Sequence, residues 1–253
     1  MKYQCSRLTA LCGGLLLIAA LVPVAHSENG AARAQLRIAN LVQRSDSLNL
    51  RLCREAEKAC RTLALAGDSL SPVLDLTPGQ YHFELRTADH LITRFTYGIA
   101  ANRHYGMALY GVRMHSTHRS LWSRMRLALG GIDIRQVDGY RIMPHMTMMR
   151  PGKADDPAVL RLANLAPGST ALSGRVRMPG KTTSLGSVRY GEMGQQVLIN
   201  QADGKLEVGF AGDGFPLVAR HISFARGSNT VIYVGALNQA HPLLLIDSRT
   251  ATH

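Results

Sequence analysis

The amino-acid sequence predicts an all-β protein made of two tandem antiparallel β-sandwiches, joined by a connector that contains one short amphipathic helix. Three observations predict this fold class. The chain contains an internal repeat, each copy alternates apolar and polar residues with a period of two, and turn-forming dipeptides separate the alternating segments.

The internal repeat is clearest in an eight-residue segment that returns with six identical residues. Two further blocks follow in the same order and at nearly the same shift. The matched pairs, at shifts of 124 or 125 positions, are residues 34–41 with 158–165, 73–74 with 197–198, and 79–85 with 204–210. Three ordered blocks at one spacing indicate a duplicated structural unit.

Each copy is predicted to be built from half-buried strands, because apolar side chains recur at every second position. The clearest inward-facing sets are Tyr81, Phe83 and Leu85 in the first copy and Leu206, Val208 and Phe210 in the second. Turns are expected at Pro78-Gly79, Asp203-Gly204, Asp213-Gly214 and Arg226-Gly227.

Residues 1–27 are predicted to be a secretory signal peptide. Lys2 and Arg7 flank the start, residues 11–22 are almost wholly apolar, and Pro23 is followed by the small-residue stretch 25–27. The apolar run is shorter than the roughly 20 residues that a membrane span needs. We therefore expect a periplasmic or extracellular protein with no transmembrane span in the mature chain.

Residues 113–157 belong to neither copy and are interpreted as a basic connector. Within it, residues 120–129 have helical spacing and are followed by Gly130-Gly131, which predicts a short amphipathic helix. Such a helix caps a sandwich or docks on a partner or membrane surface, and the sequence leaves both roles open. The predicted domains are therefore the signal peptide 1–27, the first repeat 28–112, the connector 113–157 and the second repeat 158–253.

The cysteines of the mature chain are predicted to form one disulfide. Of the four cysteines, only Cys53 and Cys60 follow the signal peptide, and they lie on segments expected to face each other across a hairpin. A redox or metal-binding pair is the alternative, but six residues separate the two cysteines where a redox pair usually has two.

The mature chain is basic, since 27 Lys and Arg against 17 Asp and Glu give a net charge of +10. This charge predicts a polyanionic partner, and for an exported protein we expect acidic polysaccharide or envelope protein partners and no nucleic acid. Solubility alone is the alternative. The connector concentrates the charge, so polyanion binding is assigned to Arg119, Arg124, Arg126, Arg135 and Arg141.

No catalytic residues are predicted, because the chain contains no Gly-x-Ser-x-Gly elbow and no phosphate-binding glycine-rich loop. No cofactor or metal site is assigned either. The Met143–Met149 segment, which includes His145, could bind Cu(I) through soft ligands. Its alternative is a strand that packs methionines into a seam.

The segments 34–41, 74–81 and 105–112 resemble domain-of-unknown-function family 4397, whose members are exported bacterial proteins with tandem repeats. The resemblance covers most of the mature chain and implies immunoglobulin-like sandwiches. The second copy departs from the pattern, with Asp203-Gly204-Lys205 where the first has Pro-Gly-x-Tyr. A more distant resemblance, in layout, is to the AlgF family of periplasmic alginate biosynthesis proteins, which implies a non-catalytic accessory role in polysaccharide acetylation.

The predicted function is a non-enzymatic extracytoplasmic binding or scaffolding module, with an accessory role in the modification or export of an acidic, alginate-like exopolysaccharide. The alternative is a structural or adhesive cell-surface β-sandwich protein with no specific glycan ligand. Salt dependence separates the two functions, because only polysaccharide binding through charge should weaken as salt is added.

Overall fold

A computed structural model describes the part of the chain from Arg33 to Thr250, except for a few short gaps and one long interval. The described ranges are 33–43, 47–57, 60–87, 91–113, 140–167, 169, 171–213, 216–236 and 243–250. Every regular element within these ranges is a β-strand, so the predicted all-β class is confirmed.

The first half of the structure consists of nine strands. They are β1 (Ala34–Gln43), β2 (Ser47–Arg54), β3 (Cys60–Ala66), β4 (Ser69–Leu70), β5 (Leu74–Leu76), β6 (Gly79–Arg86), β7 (Leu91–Ile99), β8 (His104–Arg113) and β9 (Tyr140–Met149).

The second half contains the same number of strands in the same sequence. They are β10 (Ala158–Asn164), β11 (Ala171–Met178), β12 (Lys181–Arg189), β13 (Glu192–Met193), β14 (Val197–Ile199), β15 (Asp203–Phe210), β16 (Val218–Ser223), β17 (Asn229–Ala236) and β18 (Leu243–Arg249).

Each half is a sandwich of two sheets, and the strand order is the same in both. The inner sheets run β4-β1-β8-β9 and β13-β10-β17-β18, with β5 and β14 also paired to β1 and β10. The outer sheets run β3-β2-β6-β7 and β12-β11-β15-β16. Leu36 pairs with Leu74 and Tyr105, and Leu160 occupies the equivalent position between Val197 and Thr230. The predicted repeat is therefore a structural one.

The prediction of antiparallel pairing throughout is wrong for one strand pair in each half. β1 pairs with β8, and β10 with β17, in parallel. Antiparallel neighbours can be joined by a tight turn, whereas parallel neighbours need a long crossover. Here six intervening strands supply that crossover in each half, and the period-two pattern alone does not distinguish the two directions.

The core of each half lies between its inner and outer sheets. The predicted inward-facing residues Tyr81, Phe83, Leu85, Leu206 and Val208 are all buried, and Phe210 is half-buried against the second core. In the first core the rings of Phe83 and Phe95 stack with centroids 5.1 Å apart. The alternation in β6 and β15 therefore identifies the core faces correctly.

A third apolar cluster joins the two halves, because the inner sheets pack face to face. It includes small residues from both repeats, which allow close approach of the two sheets. Its buried members are Ala39, Leu41, Ala108, Tyr110, Met149, Ala163, Leu165, Val231 and Tyr233. The sheets are therefore stacked in four layers, in the order outer, inner, inner, outer. We call the contact between the two inner sheets the seam.

Strand β9 lies within the interval 113–157 and completes the inner sheet of the first half. It pairs with β8 from His104–Met149 to Arg113–Tyr140. The helix predicted at residues 120–129 falls outside the described residues, as does the proposed signal peptide. In the described ranges no helix is long and apolar enough to cross a membrane.

The predicted disulfide is confirmed in the first outer sheet. Cys53 and Cys60 are directly paired across β2 and β3, and their Sγ atoms lie 2.06 Å apart. The bond closes the hairpin that leads to the edge strand β3 and so restricts the unfolded chain locally.

Candidate functional site

The repeat places two arginines, Arg37 in β1 and Arg161 in β10, at equivalent positions beside the seam. Arg37 is paired with a carboxylate of the other half, since its Nη1 lies 3.3 Å from Oδ1 of Asp247 in β18. Its Nε also donates to the carbonyl oxygen of Ser71 at 3.0 Å. The positive charge of Arg37 is thus compensated inside the protein.

Asp247 is almost completely buried, with 1% of its surface exposed, and has a second cationic neighbour in Arg249 at 3.2 Å. Burial lowers the pKa of Arg249, while burial and then the charge of Asp247 raise the pKa of Tyr233. The Tyr233 hydroxyl reaches the backbone of Gly106 in the opposite half, where a Cβ atom would collide with it. This side of the seam therefore holds one buried carboxylate between two arginines, although Asp247 Oδ2 and Arg249 Nη2 are buried without a hydrogen-bond partner among the described residues.

The other side of the seam lacks the carboxylate. Met107 in β8 and Ile232 in β17 occupy equivalent positions in the two inner sheets. Met107 pairs with Met146 and Ile232 pairs with Ile246, so the residues that follow, Thr147 and Asp247, are also equivalent. Thr147 and Arg161 lie beside the same sulfur, each 3.8 Å from Met193 Sδ. The two halves therefore differ at this position, where one contains the charged residue Asp247 and the other contains the neutral residue Thr147.

Arg161 consequently has only neutral partners among the described residues. Its Nη2 donates to the carbonyl oxygen of Met148 at 3.2 Å, its Nη1 faces Met193 Sδ, and its Nε is buried without a hydrogen-bond partner. In the described ranges no carboxylate lies within 4.0 Å of it. Burial lowers the pKa of the guanidinium, which nonetheless stays protonated at physiological pH.

Arg161 lines a cleft of about 540 Å³ at the edge of the seam. The lining comes from β9 of the first half and from the second half. Its described residues include hydrogen-bond donors and two arginines but no carboxylate. The lining residues are His145, Met146, Thr147, Met148, Arg150, Val159, Arg161, Met193, Gln196 and Asn229.

Two further depressions continue from this cleft around the second half. One, of about 540 Å³, shares Met193 and Gln196 with the cleft, and its other lining residues are Ser184, Leu185, Gly186, Ser187, Gly194, Gln195 and Val197. The next, of about 360 Å³, shares Ser184 and lies over the outer sheet, where it is lined by Ser173, Gly174, Arg175, Thr182, Glu207, Gly209, Asp213 and Pro216. We call the three together the polar track.

The outer end of the polar track contains a buried carboxylate surrounded by cations. Glu207 accepts hydrogen bonds from Nε of Arg175 at 2.7 Å and Nε of Arg177 at 2.8 Å, and Lys205 Nζ lies 3.9 Å away. The hydrogen bond from Arg175 is the main cause of a lowered pKa for Glu207. With Asp213, which also lines this depression, the count is three cations and two carboxylates, a net charge of +1.

The predicted polyanion-binding residues cannot be placed in this geometry. Arg119, Arg124, Arg126 and Arg135 lie outside the described residues. Arg141 is in β9 opposite Val112, but its side chain is not described.

The methionine-rich segment is divided among different surroundings in β9. Met143 and Met148 are exposed, Met146 packs on the first core, and Met149 is buried in the seam. In the described part of the chain no cluster of three His, Cys, Asp or Glu residues could hold a metal ion. His145 lies in a cleft that also contains Arg150 and Arg161, and these positive charges disfavour a cation.

Sequence reasoning did not identify Arg161, Gln196 or Ser184 as site residues. The equivalence of Arg37 and Arg161 is visible in the repeat, but their different partners are not. Those partners come from β9 and β18, where Met146-Thr147 and Ile246-Asp247 share no residue.

No family model matches the chain, and no curated protein matches it. Among solved structures, a "putative cell adhesion protein" of Bacteroides ovatus shares 7% identity over 87% of this chain and 97% of its own, with a TM-score of 0.25. Another protein so named, from Bacteroides eggerthii, shares 9% identity over 87% and 95% of the two chains, with a TM-score of 0.18. Neither similarity is strong enough to transfer a function.

Proposed function

We propose that this protein is a non-enzymatic extracytoplasmic binding module whose polar track holds a segment of an acidic polysaccharide. The observation that supports the proposal is that neighbouring depressions of the track share lining residues. Met193 and Gln196 line both the cleft beside the seam and the middle depression, and Ser184 lines both the middle depression and the one on the outer sheet. An elongated polar track suits an extended polar polymer better than a compact apolar ligand.

The chemistry of the lining supports the same ligand class. Hydroxyl and amide side chains can pair with sugar hydroxyls, and arginines can donate charge-assisted hydrogen bonds to carboxylates. The acidic side chains in the lining are Glu207, which is held by arginines, and Asp213. Because most lining residues lie on or beside strands, little ordering is needed on binding.

The cellular role that we propose is an accessory one, in the modification or export of an acidic exopolysaccharide outside the cytoplasm. The disulfide between Cys53 and Cys60 is compatible with an oxidising compartment. The resemblance of the sequence to domain-of-unknown-function family 4397 implies tandem immunoglobulin-like sandwiches, and the resemblance in layout to the AlgF family implies a non-catalytic accessory role.

A steric block at the middle of the track tests the proposal. Gln196 is exposed and lines two of the three depressions, so Gln196→Trp should obstruct the track without disturbing a core. We expect the variant to bind polygalacturonate at least about fivefold more weakly than the parent protein in calorimetric titrations at low salt.

Gln80→Trp is the matched control, because Gln80 is an exposed glutamine in β6 of the first half, away from the track. It should bind polygalacturonate like the parent protein, and neutral dextran should bind none of the three proteins. Unchanged affinity in Gln196→Trp would place binding elsewhere. Absence of polygalacturonate binding in the parent would favour a structural or adhesive role.

A further inference from the structure

We propose that Arg161 is the residue of the polar track that recognises a sugar carboxylate, so that the cleft beside the seam is a uronate subsite. The identity of the ligand as a polysaccharide rests on the proposed function, whereas the carboxylate specificity rests on the geometry around Arg161. The protein itself provides the comparison that supports this specificity, between two equivalent arginines with different partners.

At the Arg37 position, the protein itself supplies a charged partner for the guanidinium. Its guanidinium is held by the Asp247 carboxylate, which the opposite half contributes through its last strand. At the equivalent place beside Arg161 the opposite half contributes Thr147, which carries no charge. The carboxylate missing from the second site is the group that we assign to the ligand.

The surroundings of Arg161 favour an anion over other occupants. His145, Arg150 and Gln196 supply further donors to the cleft, and among the described residues its lining contains no carboxylate that would repel an anion. The volume of about 540 Å³ is within the range of small-ligand sites. A charged ligand group can therefore enter without displacing a protein carboxylate.

The guanidinium is also held in place before a ligand arrives. The Met148 carbonyl oxygen and Met193 Sδ fix two of its nitrogens, at 3.2 Å and 3.8 Å. Its partial burial weakens competition from water, so a charge-assisted hydrogen bond is worth more here than on an open surface. A carboxylate should thus be distinguished from a neutral ester at this point.

A substitution that gives Arg161 a carboxylate neighbour, as Arg37 already has, tests the inference. Thr147→Asp should place a carboxylate beside Arg161 as Asp247 is placed beside Arg37, and so occupy the subsite from within. The probe is trigalacturonate, compared with its fully methyl-esterified form, which keeps the sugar rings but loses the negative charges. We expect the parent protein to bind the acid about tenfold or more tightly than the ester, and Thr147→Asp to lose that preference.

Arg161→Gln provides a second variant, which should lose the same preference by removing the cation. Thr77→Asp is the charge-matched control, because Thr77 is exposed and distant in sequence from the track residues, and it should keep the preference. Thermal unfolding of each variant verifies that it is folded.

Three results separate this inference from the proposed function. If Thr147→Asp and Arg161→Gln keep the parent's preference for the acid while Gln196→Trp still weakens polygalacturonate binding, the track binds polysaccharide but Arg161 is not the carboxylate site. If the parent binds acid and ester equally well, carboxylate recognition in the cleft is refuted. If the parent binds no polygalacturonate, the proposed function fails first.

Discussion

At the scale of single residues, two buried asparagines show how the repeated segment links the two sheets of each half. Asn40 and Asn164 are both fully buried at equivalent positions. Asn40 donates to the carbonyl oxygens of Leu65 and Ala66, and Asn164 donates to that of Val188. Each side chain therefore links an inner sheet to an edge strand of its outer sheet. The sequence reveals that the asparagine recurs, but its partners become visible only in the folded sandwich.

Replacing Asn164 with alanine should destabilise the protein, because the Val188 carbonyl oxygen would lose its donor while remaining buried. The expected loss is about 1–3 kcal/mol in the free energy of unfolding, measured by urea denaturation. Asn200→Ala is the control, since Asn200 is exposed. Equal effects of the two substitutions would contradict the assigned role of Asn164.

Glu207 is more buried than the alternation of apolar and polar residues in β15 predicts. The pattern in β15 predicts that it faces solvent, and its side chain does lie on the outer face, yet it is 5% exposed. The arginine side chains of the neighbouring strand β11 cover it. A single strand's sequence does not contain this information, because the covering residues are some 30 positions away.

The stability contributed by Glu207 should depend on pH. Its pKa in the folded protein is lowered, so the contribution is fully present above the unfolded pKa of about 4.3 and is lost as pH falls through the folded value. The stability difference between the parent and Glu207→Gln should therefore be larger at neutral pH than in strong acid. Urea midpoints across this range measure it, and a difference that does not change with pH would contradict the ion-pair assignment.

At the scale of elements, the sequence predicts some strands better than others. β6 and β15 have one face on a core, so their apolar residues alternate and the buried positions are predictable. β1 and β10 are covered on both faces, first by the outer sheet and then by the seam. The second contact explains the small residues Ala39 and Ala163, which lie in the seam, and no single-sandwich interpretation includes that contact.

The sequence does not predict β9, because this segment contains Pro144 and follows the 26-residue interval 114–139, and both features indicate a connector. Proline has no amide hydrogen to donate to a neighbouring strand, which disrupts a strand that has neighbours on both sides. An edge strand tolerates proline because one of its sides has no neighbour. β9 is an edge strand of the inner sheet, beside β8, and it supplies four residues in a row, 145–148, to the cleft.

At the scale of the whole molecule, the duplication of the sandwich explains both the strand order that the two halves share and the position of the candidate site. Two equivalent inner sheets face each other, so each contributes its last strand to one side of the seam. Where those strands differ, one side contains Asp247 and closes on Arg37, and the other contains Thr147 and leaves Arg161 without a carboxylate partner among the described residues. The tandem repeat was predictable from the sequence, whereas the face-to-face packing that creates the cleft was not.

Positive charge by itself does not distinguish the two halves. The first outer sheet also surrounds a glutamate with arginines, since Glu84 lies 2.9 Å from Arg94, 3.6 Å from Arg51 and 3.7 Å from Arg86. In the second half, three depressions lined by described residues lie between its outer sheet and the seam. We therefore expect shape rather than charge to decide that a polyanion binds there.

Amide chemical-shift mapping of the isotope-labelled protein during titration with trigalacturonate locates the binding site directly. We expect the largest shifts along the polar track, at Arg161, Gln196 and Ser184, with little change around Glu84. Shifts confined to the outer sheet around Glu84, or to residues 114–139, would contradict this expectation.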